Sequence, residues 1–211
     1  ESGAAGKILG VNGRVLWHRD ASYYTDSHWR GFMATEGGGV MINQAIHTLD
    51  LMLWLCGEPE RLSATIANHH LKGIIDVEDT AEACITFENG ARGIFFATTA
   101  NYTDAPLSME IACEKMFLEL KNDDLYIDGI PQKLKENIIM ESGKDCWGIG
   151  HKMLFDDFYT RLERGEAMPI GVNEAAKALR VLLAMYASNG NDINLKDDYV
   201  FHERKTSGGF E

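Results

Sequence analysis

From Thr80 to Phe87 the chain alternates, with Ala81, Ala83, Ile85 and Phe87 set against Thr80, Glu82 and Thr86. A period of two with one apolar face is the signature of a half-buried strand. Asn89-Gly90 follows, and then the apolar stretch Ala91 to Ala100, which together predict a hairpin because both turn residues tolerate positive φ. Arg61 to Asn68, Ser108 to Cys113, Lys115 to Leu120, Leu125 to Ile127 and Gln132 to Leu134 read as further strands, the last two joined at Asp128-Gly129. The β-branched and Leu-rich segment Lys7 to Arg19 predicts one more, and the middle of the chain reads as an antiparallel meander.

Three segments break this period. Met41 to Cys56 is strongly apolar without Pro or Gly and stops at Gly57 with Pro59 beyond, the pattern of a buried helix with its stop signals. His151 to Arg164 places Leu154, Phe155, Phe158 and Leu162 on one helical face; Asn173 to Ser188 predicts a helix capped by Asn173 and ended by Asn189-Gly190. Residues 20 to 39 read as an irregular loop ending in Gly37-Gly38-Gly39, able to bring backbone close to a ligand. The expected fold class is α+β, an open and predominantly antiparallel sheet with helices packed on one face. Residues 1–195 form one domain in this reading, and 196–211 a polar, frayed tail.

Composition narrows the function. The 211 residues are 45% hydrophobic and 25% charged, which excludes disorder and collagen-like repeats. A formal charge of −12 argues against nucleic acid and anionic membrane as partners. The apolar run Leu51 to Cys56 falls far short of the ~20 residues a bilayer needs. The four cysteines include no C-x-x-C pair, and Cys84 and Cys113 lie in apolar strands, so buried, reduced thiols of a cytoplasmic protein are expected. His69-His70 makes a poor metal site, since neighbours on a strand face opposite ways, and no metal is expected. The chain opens Glu1-Ser2-Gly3 without Met, as a piece of something longer would, and contains neither Gly-x-Gly-x-x-Gly nor a Walker-type loop. No cofactor is expected to be bound by this chain alone.

The sharpest chemistry follows the glycine run. On a helix Asn43, His47 and Asp50 fall within about 60° of one another, a polar stripe on an otherwise apolar element. His47 is the candidate general base, since imidazole titrates near pH 6.5. Asn43 is suited to orienting a hydroxyl or the imidazole, and Asp50 to fixing the tautomer of His47 or bonding to backbone. A buried, mutually satisfied polar trio without catalytic role is the alternative. Upstream, Arg30 is placed to hold a carboxylate or sugar hydroxyls while Trp29 stacks on a sugar face; alternatively Trp29 plugs the core edge and Arg30 pairs with surface acids. A metal-dependent isomerase or hydrolase using His47 with Asp50 lacks further ligands at suitable spacing.

The order W-R-G, then E-G-G-G-V-M-I-N-Q-A-I-H-T-L-D-L-M-L-W-L-C-G-E-P at Glu36 to Pro59, resembles the C-terminal domain of the Gfo/Idh/MocA oxidoreductases, the glucose-fructose oxidoreductase and inositol dehydrogenase family. The runs beginning at His151 and at Asn173 are similar to that family's two closing helices, so the resemblance spans about Lys7 to Leu195. It implies a two-domain enzyme whose N-terminal Rossmann domain, absent from this sequence, binds NAD or NADP, and whose C-terminal domain supplies the sheet and the substrate pocket. The implied reaction is hydride transfer between the nicotinamide and a secondary alcohol of a sugar, polyol or nucleotide sugar. His47 falls on the family's catalytic histidine, and Asn43 where many members carry an acid. Trp29, Arg30 and, at a helix start, His151 match positions that line the substrate pocket. The resemblance also implies a homo-oligomer, dimer or tetramer, formed through the sheet's outer face. Without the Rossmann half the isolated chain is expected to be inactive; a stand-alone ligand-binding or oligomerisation module is the alternative.

Overall fold

A strand from near the start of the chain, Ile8–Leu16 (β1), runs through the middle of the sheet. The computed structural model describes residues 3–121, 124–132 and 150–196. Within them the chain continues as the short helices Ala21–Thr25 (α1) and Met33–Glu36 (α2), a π turn at Met41–Ala45 and the helix Ile46–Cys56 (α3). Strands Pro59–Ala67 (β2), Thr80–Phe87 (β3), Arg92–Thr98 (β4), Ser108–Cys113 (β5), Phe117–Lys121 (β6), Asp124–Ile127 (β7) and Ile130–Gln132 (β8) follow. Helices Gly150–Arg164 (α4) and Val172–Ser188 (α5) and the short strand Ile193–Asn194 (β9) complete it.

The described strands form one sheet in the order β8-β7-β6-β5-β1-β4-β3-β2-β9. The expected meander is therefore split. β1 inserts between β4 and β5, parallel to the first (Asn12 opposite Ile94) and antiparallel to the second (Asn12 opposite Glu110). Alternation along β1 identifies Val11 and Val15 as inward residues but carries no information about which strands lie beside it.

The core lies on one face. The predicted alternation of β3 holds, with Ala81, Ala83, Ile85 and Phe87 buried. Against that face α3 lays Leu49, Met52, Leu53 and Cys56, and α5 lays Ala178, Val181, Leu182 and Met185. Burying a Met or Leu of this kind contributes roughly 1.5–3 kcal/mol. Cys84 departs from expectation. It has the parity of Glu82 and Thr86, sits across from Ser63 and Ile94, and is exposed, while Cys113 is partly exposed. Only Cys56 of the described cysteines is buried, and burial pushes its thiol up to about 11; Cys146 lies outside the described residues.

Three further expectations are corrected. The loop 20–39 contains two short helices, the first capped by Asp20, whose carboxylate accepts from Tyr23 N at 3.1 Å. Helix α5 starts one residue early, at Val172 after the N-cap Gly171, so Asn173 sits inside the first turn and makes no cap. Its end is as read: Asn189 and Gly190 take φ of 44° and 82°, and Gly190 N donates to Ala64 O of β2. Finally α4 buries none of its residues, and its apolar side, from Met153 to Leu162, stands open. The amphipathic period finds the helix but not what covers it. Of the tail read as 196–211, only Lys196 is described.

Candidate functional site

The glycine run is built around a carboxylate that sequence reading overlooked. Gly39 N and Met41 N each donate to the Glu78 carboxylate at 3.0 Å, Val40 N donates to the Glu78 carbonyl oxygen at 3.0 Å, and the Tyr186 hydroxyl donates to Glu78 Oε1 at 2.6 Å. Glu78 thereby occupies the positive N-terminal end of the helix that carries His47. It is fully buried, and that burial pushes its carboxyl above the ordinary range against the pull of Tyr186, Met41 and Gly39. Because these amides already face Glu78, the glycine run is not a phosphate cradle.

Asp79 turns the opposite way. Its carboxylate accepts from His69 N at 3.0 Å, His70 N at 2.6 Å and Leu71 N at 2.9 Å. Burial raises its carboxyl, but these bonds and the Thr80 hydroxyl outweigh burial and hold it below the ordinary value. The His69 and His70 side chains are exposed, and no group of three or more metal-ligating side chains exists among the described residues.

The helix expected from Met41 opens as a π turn, a distortion found often at functional sites. Its two polar residues diverge. Asn43 Nδ2 donates to Glu36 Oε1, while Glu36 Oε2 accepts from Gly31 N at 2.6 Å. Gln44 is 5% exposed; its Nε2 reaches the Tyr23 hydroxyl at 3.5 Å, and its Oε1 is buried without a partner among the described residues. One turn on, His47 and Asp50 are both exposed and line a cleft of about 810 Å³ with Leu51, Trp54 and Ile170, edged by Glu58 and Lys177. No hydrogen bond joins Asp50 to His47, and exposure of both removes the buried-trio alternative. Glu36 and Glu78 carried no periodic signal: each is a single acid whose partners, Gly31 N and the Asn43 amide for the first and Gly39 N, Met41 N and the Tyr186 hydroxyl for the second, are brought to it by the fold.

The loop before the glycine run is a stack of cations and rings. The Arg30 guanidinium lies 4.3 Å from the Tyr23 ring centroid and 5.1 Å from that of Trp29, and Arg19 lies 5.1 Å from Tyr23. Arg19 is paired with Asp104 at 2.9 Å, whereas Arg30 has no carboxylate of the described residues at ion-pair distance and a buried, unbonded Nε. The alternative of Arg30 pairing with surface acids is therefore not realised, and Trp29, 38% exposed, is not a core plug. His151 is exposed in the first turn of α4 and does not line the cleft beside His47.

The described residues form an α+β domain whose one-faced sheet carries an exposed histidine on a glycine-led helix and a cation-aromatic loop beside it. Residues 1–119 match the family model of the GFO/IDH/MocA C-terminal domain, and the chain belongs to that family. It is 32% identical to the WlbA dehydrogenase of Chromobacterium violaceum, solved with NADH and UDP-GlcNAcA, with a TM-score of 0.74 over 93% of this chain and 57% of that one. It is 28% identical to the Bordetella pertussis WlbA dehydrogenase, solved with the same two molecules, at a TM-score of 0.73 over 91% and 56%. Among curated proteins, the levoglucosan dehydrogenase of Pseudarthrobacter phenanthrenivorans is 30% identical over 119 residues, covering 46% of this chain and 30% of that protein. The chain thus spans less than three fifths of either solved relative. Among the described residues, no helix is long and apolar enough to cross a membrane.

Proposed function

We propose that this chain is the substrate-binding part of an NAD(P)-dependent oxidoreductase that moves a hydride between a nicotinamide and a secondary alcohol of a sugar, polyol or nucleotide sugar. The observation that carries the reading is His47, exposed at the mouth of a cleft on the helix that follows the glycine run, in a chain of this family. The NADH complexes and the sugar-acid nucleotide of the WlbA relatives, and the name of the levoglucosan relative, support it. The nicotinamide, held outside these residues, supplies the hydride acceptor. A ring nitrogen of His47 takes the hydroxyl proton as the carbonyl forms and returns it in the reverse direction. Asn43 orients the sugar by hydrogen bonding without titrating. Arg30, whose guanidinium lies over Tyr23 and beside Trp29 without an ion-pair partner among the described residues, holds an anionic or hydroxyl-rich end of the substrate. His151, which does not line the cleft beside His47, is given no part in this step. The open sheet face, with Leu9, Ile94 and Phe117 exposed, is assigned to self-association.

The test is His47→Asn in the complete enzyme. Loss of a general base lowers kcat by about 10²- to 10⁴-fold, with the melting temperature kept; a variant turning over at the normal rate removes His47 from the chemistry. The 211-residue chain alone is expected to turn nothing over, and sustained NAD-dependent oxidation of a polyol by it overturns the two-part reading.

A further inference from the structure

We propose that Glu36 is a positioning residue that fixes the side-chain amide of Asn43 and so turns the Asn43 carbonyl oxygen outward as an acceptor for a substrate hydroxyl. This rests on the reading of the site given above and adds a residue to it.

The argument begins with donor chemistry. An ionised carboxylate only accepts, and an asparagine amide has one donating end and one accepting end. Glu36 Oε1 receives the hydrogen bond of Asn43 Nδ2, so the nitrogen faces Glu36 and Oδ1 faces away from it. The orientation is over-determined from the other side. Glu36 Oε2 is occupied by Gly31 N at 2.6 Å, which leaves the carboxylate little freedom to release the amide. Bonds to a charged acceptor are about twice as strong as neutral ones.

Backbone geometry delivers the carboxylate. Glu36 is the last residue of α2, and Gly37 follows in a left-handed conformation (φ 85°), reversing the chain so that residues 36 and 43 meet across the glycine run. Asn43 lies in the π turn and His47 at the start of α3, four residues further along the same continuous helix. Glu36 thereby connects the loop carrying Trp29 and Arg30, through Gly31 N, to the helix carrying Asn43 and His47. Gln44 has its own weak contact to Tyr23 and cannot substitute for this link.

The deciding measurement is the Asn43 side-chain amide in ¹⁵N-labelled 211-residue protein, assigned by its loss in Asn43→Ser and compared with Glu36→Gln and Glu36→Ala. The expected signature is one amide proton displaced downfield and slow to exchange in the wild type. It moves towards free-amide values in Glu36→Gln, while the backbone resonances of residues 46–56 stay in place. An Asn43 pair that is the same in wild type and Glu36→Gln overturns the proposal, as does one that moves only when the whole spectrum collapses. Glu36→Gln keeps shape and decides the matter if Glu36→Ala does not fold. Neither cofactor nor turnover enters the readout, so failure here leaves the dehydrogenase reading standing, and failure of that reading leaves this coupling measurable.

Discussion

Gly39 and Glu78 meet backbone to backbone: a β-carbon on Gly39 would stand 1.9 Å from the Glu78 carbonyl oxygen. That oxygen is itself bonded to Val40 N, and the next carbonyl, that of Asp79 just before β3, receives Thr99 N, so neither chain can retreat without breaking these hydrogen bonds. Gly39→Ala is therefore expected to cost roughly 3 kcal/mol, at the upper end of overpacking. A urea unfolding midpoint reads this directly. A midpoint within error of the parent would mean that the glycine run is loose and does not fix the start of the His47 helix.

Glu78 gives this packing a pH dependence. Burial raises its carboxyl in the folded chain above the ordinary 4.5, so between that value and the folded one the native state holds a proton the unfolded chain has released. Stability then falls as pH rises through this window. Asp79 has the opposite sign: held below 3.8, it contributes stability above that pH, and this is lost as pH falls through its folded value. Glu78→Gln cannot ionise and is expected to remove the first slope and leave the second. It also presents an amide nitrogen to amide donors, at a cost of about 1–3 kcal/mol. Urea midpoints taken from about pH 3 to pH 8 test both signs; an unchanged slope above pH 4.5 in the variant would exclude Glu78 as its source.

The chain's own pattern reaches as far as local period and stop signals do. β3 stands where its alternation places it, β5 spans the expected Ser108–Cys113, and α3 ends at Gly57 as its stop signal requires. The place of β1 in the sheet was not legible, because it is decided by pairing with strands some 80 to 100 residues away. Within the site His47, Asn43, Trp29 and Arg30 are residue types with evident chemistry. Glu36 and Glu78 are ordinary acids until the fold aims backbone amides at them. The π turn likewise escapes a reading based on 3.6 residues per turn: its residues are tied to Glu36, Tyr23 and Glu78, partners that the helical period does not point to.

Helix α4 makes a prediction by its exposure. Leu154, Phe155 and Leu162 are each more than half exposed, so they contribute little to folding of this chain. The double variant Phe155→Ser, Leu162→Ser is expected to leave the unfolding free energy within about 0.5 kcal/mol per site. The same change reduces the apolar surface that α4 presents, so concentration-dependent association and dye binding should fall. A loss of roughly 3 kcal/mol or more instead would place these side chains in a core.

Arg30 separates charge from packing. Its guanidinium stacks on Tyr23 and beside Trp29 without a carboxylate partner among the described residues, so Arg30→Met keeps an apolar stem against the rings and removes only the charge and the donors. Stacking of this sort is worth about 0.5–1 kcal/mol, which bounds the expected loss of stability. A charge-assisted bond to a substrate anion is worth about 1.5–3 kcal/mol, or roughly 10- to 150-fold in affinity. On the proposed reading, Arg30→Met in the complete enzyme is accordingly expected to weaken binding of an anionic sugar substrate by that factor and to leave that of a neutral one nearly unchanged. Equal losses for both substrates would assign Arg30 to shaping the loop. A loss confined to the anionic one assigns it to the substrate's charge.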